Sequence, residues 1–364
     1  MKIAIIDADL IGRKRHRFPN LACMKISAYH KSRGNSVVLK TDYEELENFD
    51  EIYVSKVFMD TPVPDRVLKM ENVNYGGTGF FYDKAPCLPD YIEHQMPDYS
   101  LYDEWVNEKI QNGGKLRDYA YYKDYSIGFL TRGCFRKCVF CVNKNYDHVS
   151  IHSPLEEFYD PKRPKICLLD DNVLGSRYWE ELLNELKETN KPFQFKQGLD
   201  ERLLTEQKCK ALFSSKYDGE YIFAFDNLAD ALLIESKIKL ARKYTNAIMK
   251  FYCFCGFDRN DVWDAEFWKR DVFELLQRIQ ILMRNHCLPY VMRYYRYEES
   301  PYRGVYITVA RWCNQPSFYK KKSLRDFAVS NGINSACYKY IEDFEKKYPE
   351  VSQYLDMKYD TQKD

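Results

Sequence analysis

The stretch YSIGFLTRGCFRKCVFC, residues 125–141, decides the reading of this chain. Its first part, Tyr125–Thr131, is a short apolar run of strand type. The remainder is basic and polar and carries Cys134, Cys138 and Cys141 in the spacing C-x3-C-x2-C. Three thiolates so placed on one loop can hold three corners of a cube-shaped [4Fe–4S] cluster and leave the fourth iron without a protein ligand. An open iron is what a substrate-binding cluster needs, as a catalytic zinc site keeps an open position. Gly133 permits a tight turn beside the first cysteine. A structural zinc site is the competing reading, but it needs four ligands, usually from paired C-x2-C units. The nearest additional donors, His148 and His152, stand in a different context. A disulfide cannot use three cysteines, and buried apolar cysteines would not gather in TRGCFRKC.

Outward from this loop runs a strand–helix rhythm. After 125–131 the strand-like runs are KICLLDD (165–171), FQFKQG (193–198), YIFAF (221–225), IMKFYCFCGF (248–257) and PYVMRYY (289–295), with helical segments between them. Six such units predict a partial (β/α)6 barrel over 124–320. Ser153-Pro154-Leu155-Glu156 combines a Ser N-cap with Pro and Glu at helix-start positions. Ahead of the barrel, KIAIID (2–7), SVVLKTD (36–42), EIYVSKVF (51–58) and NVNYGG (72–77) alternate with a helical pattern over 20–31. They predict a small Rossmann-like α/β domain over 1–85. Residues 86–123, with Pro86, Pro89, Pro97 and Gly113-Gly114, read as a linker carrying one polar helix. Residues 321–364 read as a helical extension, and Arg311–Pro316 as a turn at the barrel mouth.

The composition sets bounds on function. The chain has 364 residues, 45% of them apolar, with 55 basic and 54 acidic side chains, so no polyanion-binding surface and no clear nucleic-acid signature emerges. No run of about eighteen apolar residues exists to span a membrane, and the N-terminus reads as a strand, so the expected location is the cytoplasm. Twelve cysteines in a reducing compartment are thiols, metal ligands or small buried side chains.

The TRGC…C-x2-C element, following a strand that opens a six-unit α/β barrel, resembles the radical S-adenosylmethionine superfamily over most of residues 88–316. The resemblance implies a cluster on Cys134, Cys138 and Cys141 whose open iron chelates S-adenosylmethionine. Reductive cleavage then gives methionine and a 5′-deoxyadenosyl radical that abstracts a substrate hydrogen. An electron donor such as flavodoxin or ferredoxin is implied as well. The backbone of Phe140 matches the position that meets the adenine. Where the family often has Gly-Gly-Glu, this chain has Asp170-Asp171-Asn172, similar to the cobalamin-associated branch. Asp171 or Asn172 is then an acceptor for the methionine amine, or else a turn or helix cap. Gln197, Gly198 and Asp226-Asn227, at strand ends, and Arg293 are further cofactor-binding candidates.

The N-terminal domain resembles a cobalamin-binding domain through Pro19-Asn20-Leu21, Ser55 and Gly76-Gly77-Thr78-Gly79. The Asp-x-His-x-x-Gly element is absent, since Asp7-Ala-Asp9-Leu-Ile-Gly12 lacks the histidine. The alternative is a degenerate domain that caps the barrel. The run Arg13-Lys14-Arg15-His16-Arg17 reads as a phosphate contact or a solvated loop. Cys253, Cys255, Cys287 and Cys313 read as an auxiliary cluster or as buried thiols. The implied outcome is hydrogen abstraction leading to methyl transfer or rearrangement of an unidentified small-molecule or macromolecular substrate. A methylthiotransferase would carry a three-cysteine N-terminal domain and a C-terminal RNA-binding barrel, yet only Cys23 and Cys87 precede the loop. A non-catalytic iron–sulfur or zinc scaffold is the reading from outside enzymology.

Overall fold

The computed structural model describes residues 1–359, and the chain divides into two compact units, Met1–Lys196 and Gln197–Asp364. Both are mixed α/β with parallel sheets. In the first unit β1 (Lys2–Asp7), β2 (Ser36–Lys40), β3 (Glu51–Ser55) and β4 (Val73–Gly76) form a parallel sheet in the order β2-β1-β3-β4. Ile3 and Ile5 face Met24, Tyr102 and Trp105, while Ala4 and Ile6 face Ile52, Val54 and Val67. Both faces of β1 are therefore covered, which explains its uninterrupted apolar run. The helix Leu21–Ser32 starts where the Asn20 side chain accepts from Cys23 N.

Residues 86–123 do more than link. They contribute Ile92, Leu101, Tyr102, Trp105, Val106, Tyr119 and Tyr122 to the core beneath β1. Proline and glycine punctuation dominates the sequence there and hides these spaced apolar positions.

The same unit contains β5 (Tyr125–Gly128), a short antiparallel pair β6 (Thr131–Arg132) and β7 (Ser150–Ile151), and β8 (Lys165–Leu168) and β9 (Phe193–Phe195). Strands β5, β8 and β9 run parallel in the order β5-β8-β9. The helix start expected at Ser153 is not formed. Leu155–Glu157 is a single 3₁₀ turn without a side-chain cap. The segment must turn back at once, because the Phe158 ring fills the place where a Cβ on Gly128 would stand, 2.2 Å away.

In the second unit β10 (Tyr221–Ala224), β11 (Met249–Cys255) and β12 (Leu288–Arg293) are parallel in that order. Helices Glu206–Phe213, Ala231–Arg242 and Ala265–Arg284 intervene or precede. Arg278, buried in the last of these, donates through Nη1 to the carbonyls of Phe225 and Phe254 just beyond or at the strand ends. The expected turn at Arg311–Pro316 is corrected, since Arg311–Cys313 end the helix Arg303–Cys313 and the Trp312 side chain is fully buried. Its apolar bulk serves the core rather than a ligand pocket. Helices Leu324–Ser330 and Ala336–Lys347 follow. Among the described residues no helix is long and apolar enough to cross a membrane.

Asp7 ends β1 with no exposure, receiving Tyr102 Oη at 2.9 Å and Leu10 N at 3.3 Å. Burial pushes its carboxyl up to about 7. A folded-state value above that of the unfolded chain means the associated stability is present at low pH. It is lost as pH rises from about 4 through about 7. Asp7→Asn keeps the shape and removes the titration, because Tyr102 can turn from donor to acceptor. The variant should match the parent at pH 3 and exceed it at pH 8 by on the order of 4 kcal/mol. Chemical denaturation of both proteins across that range checks this, and parallel curves would count against it.

Candidate functional site

The loop between β6 and β7 carries the three spaced cysteines, and side chains at the end of β8 hold it in place. Asp170 is buried and accepts from Leu130 N at 3.2 Å, Thr131 N at 2.6 Å and Thr131 Oγ1 at 2.6 Å. Asp171 accepts from Gly133 N at 2.8 Å through one oxygen and from Asn143 Nδ2 at 2.6 Å through the other. Asn172 donates from Nδ2 to Cys134 Sγ at 3.3 Å. Three consecutive residues thus grip the loop at its entrance, at its first cysteine and at its exit. Desolvation raises the carboxyls of Asp170, to about 6, and of Asp171. The N–H and O–H donors oppose that rise.

Cys134, Cys138 and Cys141 are half-buried, whereas eight of the other nine cysteines are buried and Cys87 is exposed. Cys134 Sγ also receives Arg136 N at 3.3 Å, and Cys141 Sγ receives Asn143 N at 3.4 Å. Burial raises the Cys141 thiol above its ordinary value. Backbone N–H groups aimed at sulfur favour the thiolate, which is the form that binds metal. Among the described residues no three His, Cys, Asp or Glu groups converge tightly enough for one ion. Three half-buried thiols on one loop, two of them receiving backbone N–H groups, form a donor set that fits three corners of a cube-shaped cluster.

Behind the loop lies a charged layer. Glu93 takes Lys25 Nζ at 2.8 Å and His152 Nε2 at 2.9 Å, with Arg132 Nη2 at 3.9 Å. Burial works to raise the Glu93 carboxyl, but His152 and Lys25 together hold it at about 2. The Arg132 guanidinium lies 3.5 Å above the Phe129 ring. From the other side, Tyr82 Oη donates to the Phe140 carbonyl at 2.7 Å, and Asn145 Nδ2 to the Asp83 carbonyl at 3.1 Å. Lys144 pairs with Asp83 at 3.0 Å.

No protein-family model matches the sequence, and no curated protein sequence matches it. Among solved structures, the fold is similar to the radical S-adenosylmethionine methyltransferase TsrM from Kitasatospora setae with cobalamin and a [4Fe–4S] cluster bound. The TM-score is 0.52 at 9% identity, over 80% of this chain and 74% of that one. A second TsrM structure, with tryptophan substrate and the S-adenosylmethionine analogue aza-SAM bound, gives 0.51 at 9% identity over 80% and 72%. The chain shares the fold of TsrM.

The other sequence-expected residues fall as follows. Gly76 has open space where a Cβ would be, whereas Gly77, at φ +103°, sits where a Cβ would lie 2.3 Å from the Lys56 carbonyl oxygen. Val57, Phe58 and Met59, which follow Lys56, are exposed. Gln197, Gly198, Asp226 and Arg293 belong to the second unit. There Gln197 and Arg293 are exposed, Gly198 takes φ +98°, and Asp226 accepts from Phe254 N at 2.9 Å. Asn227 caps a 3₁₀ turn through its side chain. Cys253, Cys255, Cys287 and Cys313 are all buried. The Sγ atoms of Cys253 and Cys255 donate to the carbonyls of Phe251 and Met292.

Sequence reasoning passed over Tyr82, Glu93, Asn143 and Glu201. Glu201 is buried, its Oε2 accepts from Ala224 N at 3.3 Å, and burial with Asp200 nearby pushes its carboxyl up to about 8. Its place in Asp200-Glu201-Arg202 directly after the strand run was the available signal.

Gly133 takes φ +92°, and a Cβ there would stand 2.5 Å from the His148 carbonyl oxygen. Gly133→Ala should therefore displace the loop and destabilise the protein by about 1–3 kcal/mol. Iron bound per chain after anaerobic reconstitution should also fall. Full iron loading at unchanged stability would count against a loop so closely confined.

Proposed function

We propose that this chain is a radical S-adenosylmethionine enzyme that abstracts hydrogen from its substrate, with methyl transfer or rearrangement as the outcome. The observation that carries the reading is the trio Cys134, Cys138 and Cys141. They are half-exposed thiols on one loop, and two of their sulfurs accept backbone N–H groups. When bound there, a [4Fe–4S] cluster supplies the electron that splits S-adenosylmethionine into methionine and a 5′-deoxyadenosyl radical. The protein's share is to bind, orient and exclude water.

In this reading Thr131–Asn143 forms the cluster-binding loop, Asp170 and Asp171 fix its course, and the Phe140 backbone borders the adenine. Gln197, Gly198, Asp226 and Arg293, at or near the strand ends of the second unit, are proposed as cofactor-binding residues. The β1–β4 sheet is proposed as a Rossmann-like cobalamin-binding domain. Its strand order reverses between β1 and β3, where ligands of such sheets bind. Open space at Gly76 and the exposed Val57, Phe58 and Met59 suit a bulky ligand with apolar faces. Bound there, cobalamin would supply a methyl carrier. A small-molecule substrate and a reductant such as flavodoxin or ferredoxin complete the proposal.

Anaerobic reconstitution with iron and sulfide should give a brown protein that forms 5′-deoxyadenosine from S-adenosylmethionine once reduced. Cys134→Ala, Cys138→Ala and Cys141→Ala should each lower turnover by at least about a thousandfold, since a missing ligand removes the cluster. A colourless, zinc-loaded protein with no cleavage product would overturn the proposal.

A further inference from the structure

We propose that Asn172 raises the reduction potential of a cluster held on Cys134, and that Asp171 is a clasp that closes the cysteine loop before any cluster arrives. Both are positioning residues. The inference rests on the reading of Cys134, Cys138 and Cys141 given above.

The geometry separates the two roles. Asn172 is 2% exposed, and its amide nitrogen lies 3.3 Å from Cys134 Sγ. The same sulfur receives Arg136 N at 3.3 Å, so Cys134 accepts one backbone and one side-chain donor. The amide is confined by its surroundings. The burial of the side chain leaves little room for it to turn out to solvent. An added electron on a thiolate-bound cluster increases the charge on its sulfurs. Donors to sulfur stabilise the reduced state more than the oxidised one, and they raise the potential.

Asp171 acts on the backbone. Gly133 N, bound to one of its oxygens, precedes the first cysteine, and Asn143, bound to the other, follows the last. A single carboxylate therefore spans the ligand loop. Both of its oxygens are engaged by the protein.

The test uses full-length protein. Parent, Asn172→Ala and the near-isosteric Asn172→Asp are reconstituted anaerobically, iron per chain is counted, and potentials are read by spectroscopically monitored redox titration. Binding of S-adenosylmethionine is measured by equilibrium dialysis. Asn172→Ala should keep its iron and shift the potential negative. The reduced-to-oxidised ratio at fixed potential should fall about tenfold, which is about 59 mV for a one-electron couple. Asn172→Asp, which replaces the donor by a charge, should shift it further, while S-adenosylmethionine affinity stays within about twofold in the Ala variant.

An unchanged potential with affinity weakened tenfold or more would make Asn172 a ligand of S-adenosylmethionine and overturn the inference. A parent that takes up no cluster would overturn the reading of the cysteines instead. The clasp has a readout in cluster-free protein. Asp171→Ala should speed hydrogen exchange at the Gly133 amide by at least about tenfold. An unchanged rate would overturn the clasp whatever the variants' iron content.

Discussion

Asp170, a carboxylate with almost no exposure, fixes the point at which the chain leaves the β5-β8-β9 sheet to form the cysteine loop. It gathers two backbone amides and one hydroxyl from Leu130 and Thr131. A buried carboxyl without such partners would be costly, and unpaired amides at a strand end equally so. Each side satisfies the other. The loop's starting direction is thereby settled by a side chain some forty residues further along, and its contacts with Asp171, Asn172, Tyr82 and Asp83 depend on that start.

Strand positions in both units follow from what the sequence displays. The six runs from 125 to 295 are apolar, bounded by polar or turn residues, and each becomes a strand. KIAIID was legible for the same reason, being buried on both faces. The cysteines were legible because their spacing has few other uses. The work done by Asp170-Asp171-Asn172 was not, since the sequence offered an acceptor for the methionine amine or a turn or cap, and neither describes a grip on the cysteine loop. Their partners are thirty to forty positions away and include backbone amides, which carry no sequence signature. The segment Arg311–Pro316 misled for the opposite reason, because the polar residues around Trp312 look like a turn until the burial of its ring is known. Agreement with TsrM at 9% identity shows the same division, with backbone course shared and side chains almost wholly different.

Charge around the loop is layered. Arg132, Arg136, Lys137 and Lys144 give the loop itself a positive cast, yet Lys137 and Lys144 are paired with Asp147 and Asp83. Beneath it, Lys25, Glu93, His152 and Arg132 form a compact network in which one carboxylate balances several donors. Removing Glu93 alone would leave a buried lysine without its counter-charge, a larger disturbance than the loss of any one surface pair. The local field at the cysteines is thus set by structure well outside the loop.

Tyr82 is held at φ +51°, a conformation that costs a tyrosine strain energy, and it reaches the Phe140 carbonyl across 58 residues of chain. It stands only a few residues beyond the Gly76-Gly77 turn, where Gly77 leans on Lys56. The last turn of the N-terminal sheet and the middle of the cysteine loop are consequently buttoned together. Lengthening or shortening the chain between Gly77 and Tyr82 would pull the fastening out of line. In any chimera or circular permutant, the two segments are parts to be transplanted as a matched set.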